Sequence, residues 1–287
     1  MSDRTDQILR RAAIALASLP ETNPRLEAEL LLTLATGWSR ASLLAWPERE
    51  LAPRDAAVFD DLLARRLDGE PIAYLRGRQG FWTLDLRVTP ATLIPRPETE
   101  LLVETALVRL AADAPLRIAD LGTGSGAIAA ALASERPGWQ LIATDRSASA
   151  LAVAHDNFRA LHLDRVSVLH ANWLAAFAPD SLDAILANPP YIAGDDPHLQ
   201  RGDLRFEPRP ALTPEGDGLD AIRVIARDAR RCLRSGGLLM VEHGYDQGAA
   251  VRAIFRDAGL QRIETRRDLA GQDRITLGDD GSVKSSD

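Results

Sequence analysis

The chain has 287 residues, of which 46% are hydrophobic, 26% charged and 5% aromatic. That is globular composition, so a fibrous or disordered chain is excluded, and no apolar run approaches the ~18 residues a membrane span needs. A formal net charge of -7 argues against a protein whose main affinity is for nucleic-acid phosphates. The lone cysteine, Cys232, excludes a disulfide framework and suits a reducing cytoplasm.

Ile8, Leu9, Ala12, Leu16 and Leu19 recur at helical spacing, which predicts an amphipathic first helix. A secretory leader is rejected there, because Asp3 and Asp6 spoil a basic start and no small-residue cleavage site precedes Pro20. Asn23-Pro24 starts a second helix through residues 26–34, stopped by Gly37; Pro53 opens another that runs to Leu67 and ends at Gly69. Residues 71–80 read as irregular, and the alternation over 81–89 reads as a β-hairpin arm. A proline-rich stretch over 90–97 then delivers the chain to a helix over 99–110. These readings divide the chain into a helical domain over 1–75, a linker with a β-hairpin over 76–98, an α/β domain over 99–278 and a flexible polar tail over 279–287.

From residue 116 the rhythm changes to strands alternating with helices. Strands are predicted over 116–121, 140–144, 166–170, 182–187 and 238–242, with helices over 127–133, 148–161 and 220–233. Such alternation implies a doubly wound parallel sheet. After a helix over 247–258, strands over 261–265 and 274–277 have no helix between them and should pair antiparallel. The fold class is therefore α/β, a Rossmann-like sheet of seven strands with the last one antiparallel.

Asp120-Leu-Gly-Thr-Gly-Ser-Gly126 follows the first of these strands and opens a helix. Its glycines let the backbone approach a ligand closely and expose amides at a helix N-terminus. The dinucleotide spacing fails, because Ala127 stands where a third glycine belongs. Asp145 ends the next strand, where a carboxylate can accept both hydrogen bonds of a ribose diol. Together the two features predict a nucleoside-type ligand. They resemble the first two motifs of class I S-adenosylmethionine-dependent methyltransferases. The resemblance implies a cofactor site of Asp120, Gly122, Thr123, Gly124, Ser125, Gly126, Asp145, Asn172, Trp173 and Asn188. Within it Asp120 fixes the loop or receives the amino group, Asp145 holds the ribose, and Asn172 reads the adenine edge. Many relatives carry aspartate at the place of Asn172; Trp173 either packs on the adenine or is a core tryptophan.

Asn188-Pro189-Pro190-Tyr191 ends the fourth strand, at the crevice where open α/β sheets bind ligands. The tetrapeptide matches the signature of methyltransferases that modify a planar nitrogen. An amide or aromatic amine is a poor nucleophile because its lone pair is delocalised. Two acceptors, the Asn188 side-chain oxygen and the Pro189 carbonyl, can bind both hydrogens of such an NH2 and favour the charge that develops on it. Pro190 stiffens the turn, and Tyr191 offers an aromatic face to the planar substrate. No metal and no covalent nucleophile is needed.

Three further stretches are similar to the release factor glutamine N5-methyltransferase family: 80–100 with Ile94-Pro-Arg-Pro-Glu-Thr-Glu100, 188–208, and 233–244 with Glu242-His243-Gly244. That resemblance implies methylation of the glutamine in the Gly-Gly-Gln loop of peptide chain release factors, with S-adenosylhomocysteine as coproduct. It makes the helical domain a substrate-recognition module and Asn188, Pro189, Pro190 and Tyr191 both catalytic and substrate-binding. Neither nucleic acid nor a membrane is an expected partner. Arg96 and the loop over 195–209 either line the substrate entrance or are a solvated loop with surface charge pairs, and His243 reads as structural rather than as a base. Other acceptors, such as a nucleic-acid amino group or a ribosomal-protein glutamine, present the same NH2 and stay open, as does a non-catalytic cofactor-binding module.

Overall fold

The computed structural model describes residues 4–20, 22–200 and 202–281. They fall into two compact units: the chain up to Arg78 together with Gln200–Phe206, and Gln79–Leu199 with Glu207 onward.

The first unit is helical. α1 (Thr5–Leu16), α2 (Pro24–Thr36), α3 (Arg40–Ala45), α4 (Pro53–Leu67) and α5 (Ile72–Arg76) surround a core of Ile8, Leu9, Leu16, Leu31, Leu32, Leu43 and Phe59. The amphipathic spacing of α1 is realised, with Ile8, Leu9, Ala12 and Leu16 buried. The Asn23 side chain accepts from Leu26 N at 3.2 Å and Gly37 closes α2 in the left-handed region at φ 71°. Helix α3 was not predicted, and α5 overturns the irregular reading of 71–80. Both are too short to register as a period; α5 is held by burial of Ala73 and Tyr74, not by pattern. Inside this unit the buried Arg66 guanidinium bonds Glu27 at 2.7 Å and Asp203 at 2.9 Å, tying Gly202–Phe206 to α2 and α4.

The second unit opens with the hairpin β1 (Arg78–Phe81) and β2 (Leu84–Arg87). The predicted arm over 81–89 is thus split by a turn at Trp82, whose φ is 57°. Phe81 and Leu86 enter the sheet's core, so the hairpin is part of this unit, not a free linker. There follow α6 (Glu100–Arg109), β3 (Arg117–Leu121), α7 (Ala127–Glu135), β4 (Gln140–Asp145), α8 (Ala148–Ala160), β5 (Ser167–His170) and β6 (Leu182–Ala187). The chain continues through α9 (Arg209–Leu212), α10 (Asp220–Cys232), β7 (Leu233–Glu242), α11 (Gly248–Asp257), β8 (Gln261–Arg267) and β9 (Asp273–Asp279).

Among the described residues seven strands pair in the order β5-β4-β3-β6-β7-β9-β8. Strands β3 to β7 are parallel and β9 runs antiparallel to both its neighbours, the α/β Rossmann-like class I methyltransferase sheet that was expected. Period-2 alternation divides the core: Ile118 packs into one apolar layer with α6 and α7, Ala119 and Leu121 into the other with α10 and α11. Strand β7 begins five residues before its predicted start, because Leu233 pairs Leu182 ahead of an irregular Arg234–Gly237 stretch. The expected tail is corrected at its start: Asp279 is a buried strand residue paired with Leu238, and residues 282–287 lie outside the described residues.

Strand β3 lies at the point where the order reverses, flanked by β4 and β6. Open α/β sheets bind ligands outside the carboxyl ends of the strands at this point.

Candidate active site

Register brings the site together. Leu121 is paired with Thr144 on one side and Ala187 on the other, Asp145 with His170, and Ala187 with Val241. Gly122, Asp145, Asn188 and Glu242 therefore sit at one edge of the sheet. A cleft of about 350 Å³ opens there, lined by Gly122, Gly124, Asp145, Asn172, Trp173, Asn188 and Pro190. Across from them stand Leu93 and a wall of Pro208, Pro210 and Pro214.

The glycine loop is held from several sides. Gly122, Gly124 and Gly126 have φ of 69°, 56° and 84°, in the left-handed region. Thr123 N donates to Thr144 O at 2.8 Å, and Gly124 N donates to Asp145 Oδ2 at 3.1 Å. Asp145 Oδ1 accepts from Ser147 N at 2.8 Å. Each carboxylate oxygen of Asp145 thus takes one amide and keeps a lone pair, and the residue borders the cleft. Asp120 is fully buried; its Oδ2 accepts from Thr123 Oγ1 at 2.5 Å and Ala129 N at 3.2 Å, while Oδ1 has no partner. Burial pushes its pKa up to about 6, against the pull of the Thr123 and Ala129 hydrogen bonds.

Thr123, Ser125 and Gly126 do not line the cleft. Ser125 is buried, with its carbonyl accepting from Asn157 Nδ2 at 2.8 Å. The same Asn157 exchanges bonds with the Arg87 backbone at 2.7 and 2.9 Å, so one side chain joins the glycine loop to the hairpin. Gly126 lies against Phe158 and Ala154: a β-carbon there would come within 2.7 Å of the phenyl ring. Its role is helix packing. Asn172 is exposed at the rim, and the Trp173 ring touches both the core under α10 and the glycine loop, 3.2 Å from a β-carbon built on Gly122.

Asn188 leaves β6 with its Nδ2 donating to Thr99 Oγ1 at 3.0 Å. One of the amide's two N–H groups is thereby engaged, which turns its oxygen the other way as an acceptor. Tyr191 is largely buried; its hydroxyl donates to Glu242 Oε1 at 3.4 Å, its carbonyl accepts from Gln247 Nε2 at 2.9 Å, and burial raises its pKa. Glu242 is fully buried and pushed up to about 7 by desolvation, with Thr99, Arg274 and Tyr191 pulling the other way. His243 is structural, as read from the sequence: Nδ1 donates to Gly244 O at 2.8 Å and Nε2 accepts from Thr276 Oγ1 at 2.9 Å. Burial lowers its pKa, so it stays neutral with no lone pair to spare. Arg96 is paired with Glu207, whose other oxygen accepts from Ile94 N at 2.9 Å; this pair fastens the proline-rich stretch to the loop leading to α9.

Thr99 and Asn157 are site-supporting residues that sequence reasoning missed. Neither stands in a spacing pattern that names a partner, since those partners lie 89 and 70 residues away.

Comparison with known proteins agrees with this geometry. A family model described as the PrmC N-terminal domain matches residues 7–77, and one described as the methyltransferase small domain matches residues 97–207. The release factor glutamine methyltransferase of Pseudomonas aeruginosa is 53% identical over 264 residues, covering 91% of this chain and 95% of that one. The protein of the same name from Escherichia coli K12 is 48% identical over 268 residues, covering 93% and 96%. A methyltransferase structure from Pyrococcus furiosus has a TM-score of 0.53 at 16% identity, covering 77% of this chain and 99% of that one, a likeness of fold. With about half of its residues shared over nine-tenths or more of each of these two relatives, the chain belongs to the release factor glutamine methyltransferase family.

Proposed function

We propose that the protein transfers a methyl group from S-adenosylmethionine to the side-chain amide nitrogen of the glutamine in the Gly-Gly-Gln loop of peptide chain release factors. The observation that carries this reading is the Asn188 amide, whose nitrogen is held by Thr99 at 3.0 Å so that its oxygen is free to accept. An acceptor fixed beside a nucleoside-sized cleft suits a substrate that presents N–H groups.

The cleft residues and Asp120, buried beneath the cleft-lining glycine loop, suit the cofactor. Asp120 holds a buried oxygen without a partner, which a nearby ammonium group would satisfy, and Asp145 retains a lone pair on each oxygen for a diol. Asp145 would hold the ribose, the backbone of Gly122 and Gly124 the amino-acid part, and Asn172 and Trp173 the adenine. When bound, the sulfonium supplies an electrophilic methyl.

The chain's own groups act on the acceptor. Asn188 Oδ1 and the Pro189 carbonyl accept the two amide hydrogens, placing the nitrogen and favouring positive charge on it. Pro190 restricts the turn, and Tyr191, tethered at its hydroxyl and its carbonyl, presents a fixed ring. Positioning of this kind is the main catalytic resource: the amide nitrogen attacks while it still holds both hydrogens, and its surplus proton is released to solvent after the methyl has been transferred, so no base is needed for the attack.

The test is methyl transfer from labelled S-adenosylmethionine to a purified release factor. The same factor with its Gly-Gly-Gln glutamine changed to alanine serves as control, with duplex DNA and ribosomal protein in parallel. Label on the wild-type factor alone is expected. Label on DNA or ribosomal protein alone would overturn the acceptor assignment, and no transfer with cofactor bound would overturn the enzyme reading.

A further inference from the structure

We propose that Thr99 and Glu242 are positioning residues that lock the Asn188 side chain with its oxygen toward the acceptor, an inference that rests on the reading above. The oxygen and nitrogen of an asparagine amide are nearly isosteric and exchange by a half-turn about χ2. In the wrong orientation Asn188 would offer an NH2 to a substrate NH2, donor against donor. Something must choose between the two.

Thr99 is buried in the turn Pro97–Thr99 ahead of α6 and meets Asn188 Nδ2 through its Oγ1. A hydroxyl alone does not choose, because it can rotate and donate to the flipped amide instead. Glu242 removes that freedom. It lies at the end of β7, next to Asn188 across the sheet, and in its ionised form, which the Thr99 and Tyr191 hydroxyls favour, the carboxylate can only accept. The unpartnered Glu242 oxygen is an acceptor toward which the Thr99 proton can turn; Oγ1 then serves Asn188 solely as an acceptor, and the amide must turn its nitrogen inward, as its 3.0 Å contact with Thr99 has it. The same carboxylate receives the Tyr191 hydroxyl, so one buried acid steadies both ends of the tetrapeptide.

Glu242 is otherwise hard to explain. It is 1% exposed, and its Oε2 has no partner of good geometry. Burying a carboxylate costs several kcal/mol unless fully paired. The charged and titratable groups facing it are Arg274 from β9, Glu98 from the turn before α6, and Tyr191. None forms an ion pair that would make Glu242 a mere packing element, since Arg274 is bonded to Asp268 at 3.1 Å.

The test compares Thr99→Ser, which keeps the hydroxyl, with Thr99→Val, which keeps the shape and removes the acceptor. The sequence holds four asparagines, so asparagine-selective ¹⁵N labelling gives a tractable set of side-chain NH2 signals in the free protein. The Asn188 pair should be slow to exchange and show an NOE to Thr99 in the wild type and in Thr99→Ser; both features should vanish in Thr99→Val. On a release factor, Thr99→Val should lower kcat about tenfold with KM within about twofold, and Thr99→Ser should stay near wild type. Glu242→Gln should lower kcat too, and less in the Thr99→Val background than alone, because the two act through one amide. Independent multiplicative losses, or a Thr99→Val protein with wild-type kcat and an unchanged Asn188 signal, would overturn the proposal. If the wild type does not methylate a release factor, the acceptor assignment falls while the Asn188 spectra still decide the anchoring.

Discussion

Gly124 and Gly126 are two residues apart in one loop, yet replacing each with alanine should damage different properties. At Gly126 φ is 84°, and a β-carbon would lie 2.7 Å from Phe158 Cε1 and Cζ and 3.2 Å from Ala154 Cβ. Left-handed backbone costs an L-residue about 1–2 kcal/mol and overpacking a core about 1–3 kcal/mol, so Gly126→Ala should lose about 2–5 kcal/mol of stability. At roughly 2–4 °C per kcal/mol for a domain of this size, Tm falls by about 5–20 °C. At Gly124 φ is 56° and the nearest atom to a β-carbon is Gly122 O at 4.0 Å, so only the backbone term of about 1–2 kcal/mol applies. That methyl group would instead enter the cleft that Gly124 lines. Scanning calorimetry measures the first effect and titration calorimetry with S-adenosylmethionine the second. Gly126→Ala should be the less stable protein, with near-wild-type affinity in the folded fraction. Gly124→Ala should be the more stable one, with affinity at least about tenfold lower. Trimming the ring, as Gly126→Ala/Phe158→Leu, should cost less than the two single changes together. A Gly126→Ala protein within about 0.5 kcal/mol of wild type, or equal affinity losses for both variants, would refute the division of roles.

Asp145→Ala removes the acceptor of the Gly124 and Ser147 amides as well as the group assigned to the ribose. Titration calorimetry should show S-adenosylmethionine binding weakened by about 10–100-fold, and unchanged affinity would discredit the assignment. Glu242 carries a folded-state pKa raised from 4.5 to about 7, so its contribution to stability is full below about pH 4.5 and is lost as pH rises through about 7. At about 1.4 kcal/mol per pH unit that loss is on the order of 3 kcal/mol. Urea unfolding of wild type and Glu242→Gln at pH 5 and pH 8 should show the variant lacking this part of the slope; identical slopes would exclude it. His243→Phe should cost about 1–3 kcal/mol of stability by removing the imidazole's bonds to Gly244 O and to the Thr276 hydroxyl, which keeps only Thr265 at 2.9 Å, while the kcat of folded enzyme stays within a few-fold. A loss of about a hundredfold in kcat without destabilisation would instead make His243 a base.

What could be read from sequence was whatever a strand end and its following turn carry within a few residues. The loop from Asp120 to Gly126, Asp145 and the Asn188–Tyr191 turn all lie where the alternation of strands and helices places them, and Gly122, Gly124, Asp145, Asn188 and Pro190 from this set line the cleft. Register explains why so local a signal suffices: in parallel strands of matched length, residues that end their strands end up side by side. Thr123, Ser125 and Gly126 share the motif with Gly122 and Gly124 but do not line the cleft: the Thr123 hydroxyl bonds Asp120, Ser125 is buried, and Gly126 lies against Phe158 and Ala154 of α8. Helices α3 and α5 were missed because one or two turns leave no period to detect. The hairpin was displaced because its turn at Trp82 sits inside an otherwise even alternation. Thr99 was invisible for a different reason: its pairing with Asn188 exists only once α6 and β6 are assembled.

Three strand-end carboxylates, Asp120, Asp145 and Glu242, look alike in the sequence, and their surroundings separate them. Asp145 is half-buried with both oxygens bonded to amides, so it is satisfied in the free protein and can add a ligand's hydroxyls without losing anything. Asp120 is buried with one oxygen unpartnered, and Glu242 is buried with one oxygen unpartnered and two hydroxyl groups nearby. Both have raised pKa values, because neither has a cation close enough to offset desolvation. The deficit differs in what can relieve it. Asp120 lies beneath a loop that borders the cleft, where a bound cation would hold its charge at neutral pH. Glu242 lies behind the Asn188–Tyr191 turn, and the hydroxyl groups of Thr99 and Tyr191 are the partners within its reach. The two acids thus differ in their neighbours: the glycine loop and α7 surround the first, and the hydroxyl groups of Thr99 and Tyr191 the second.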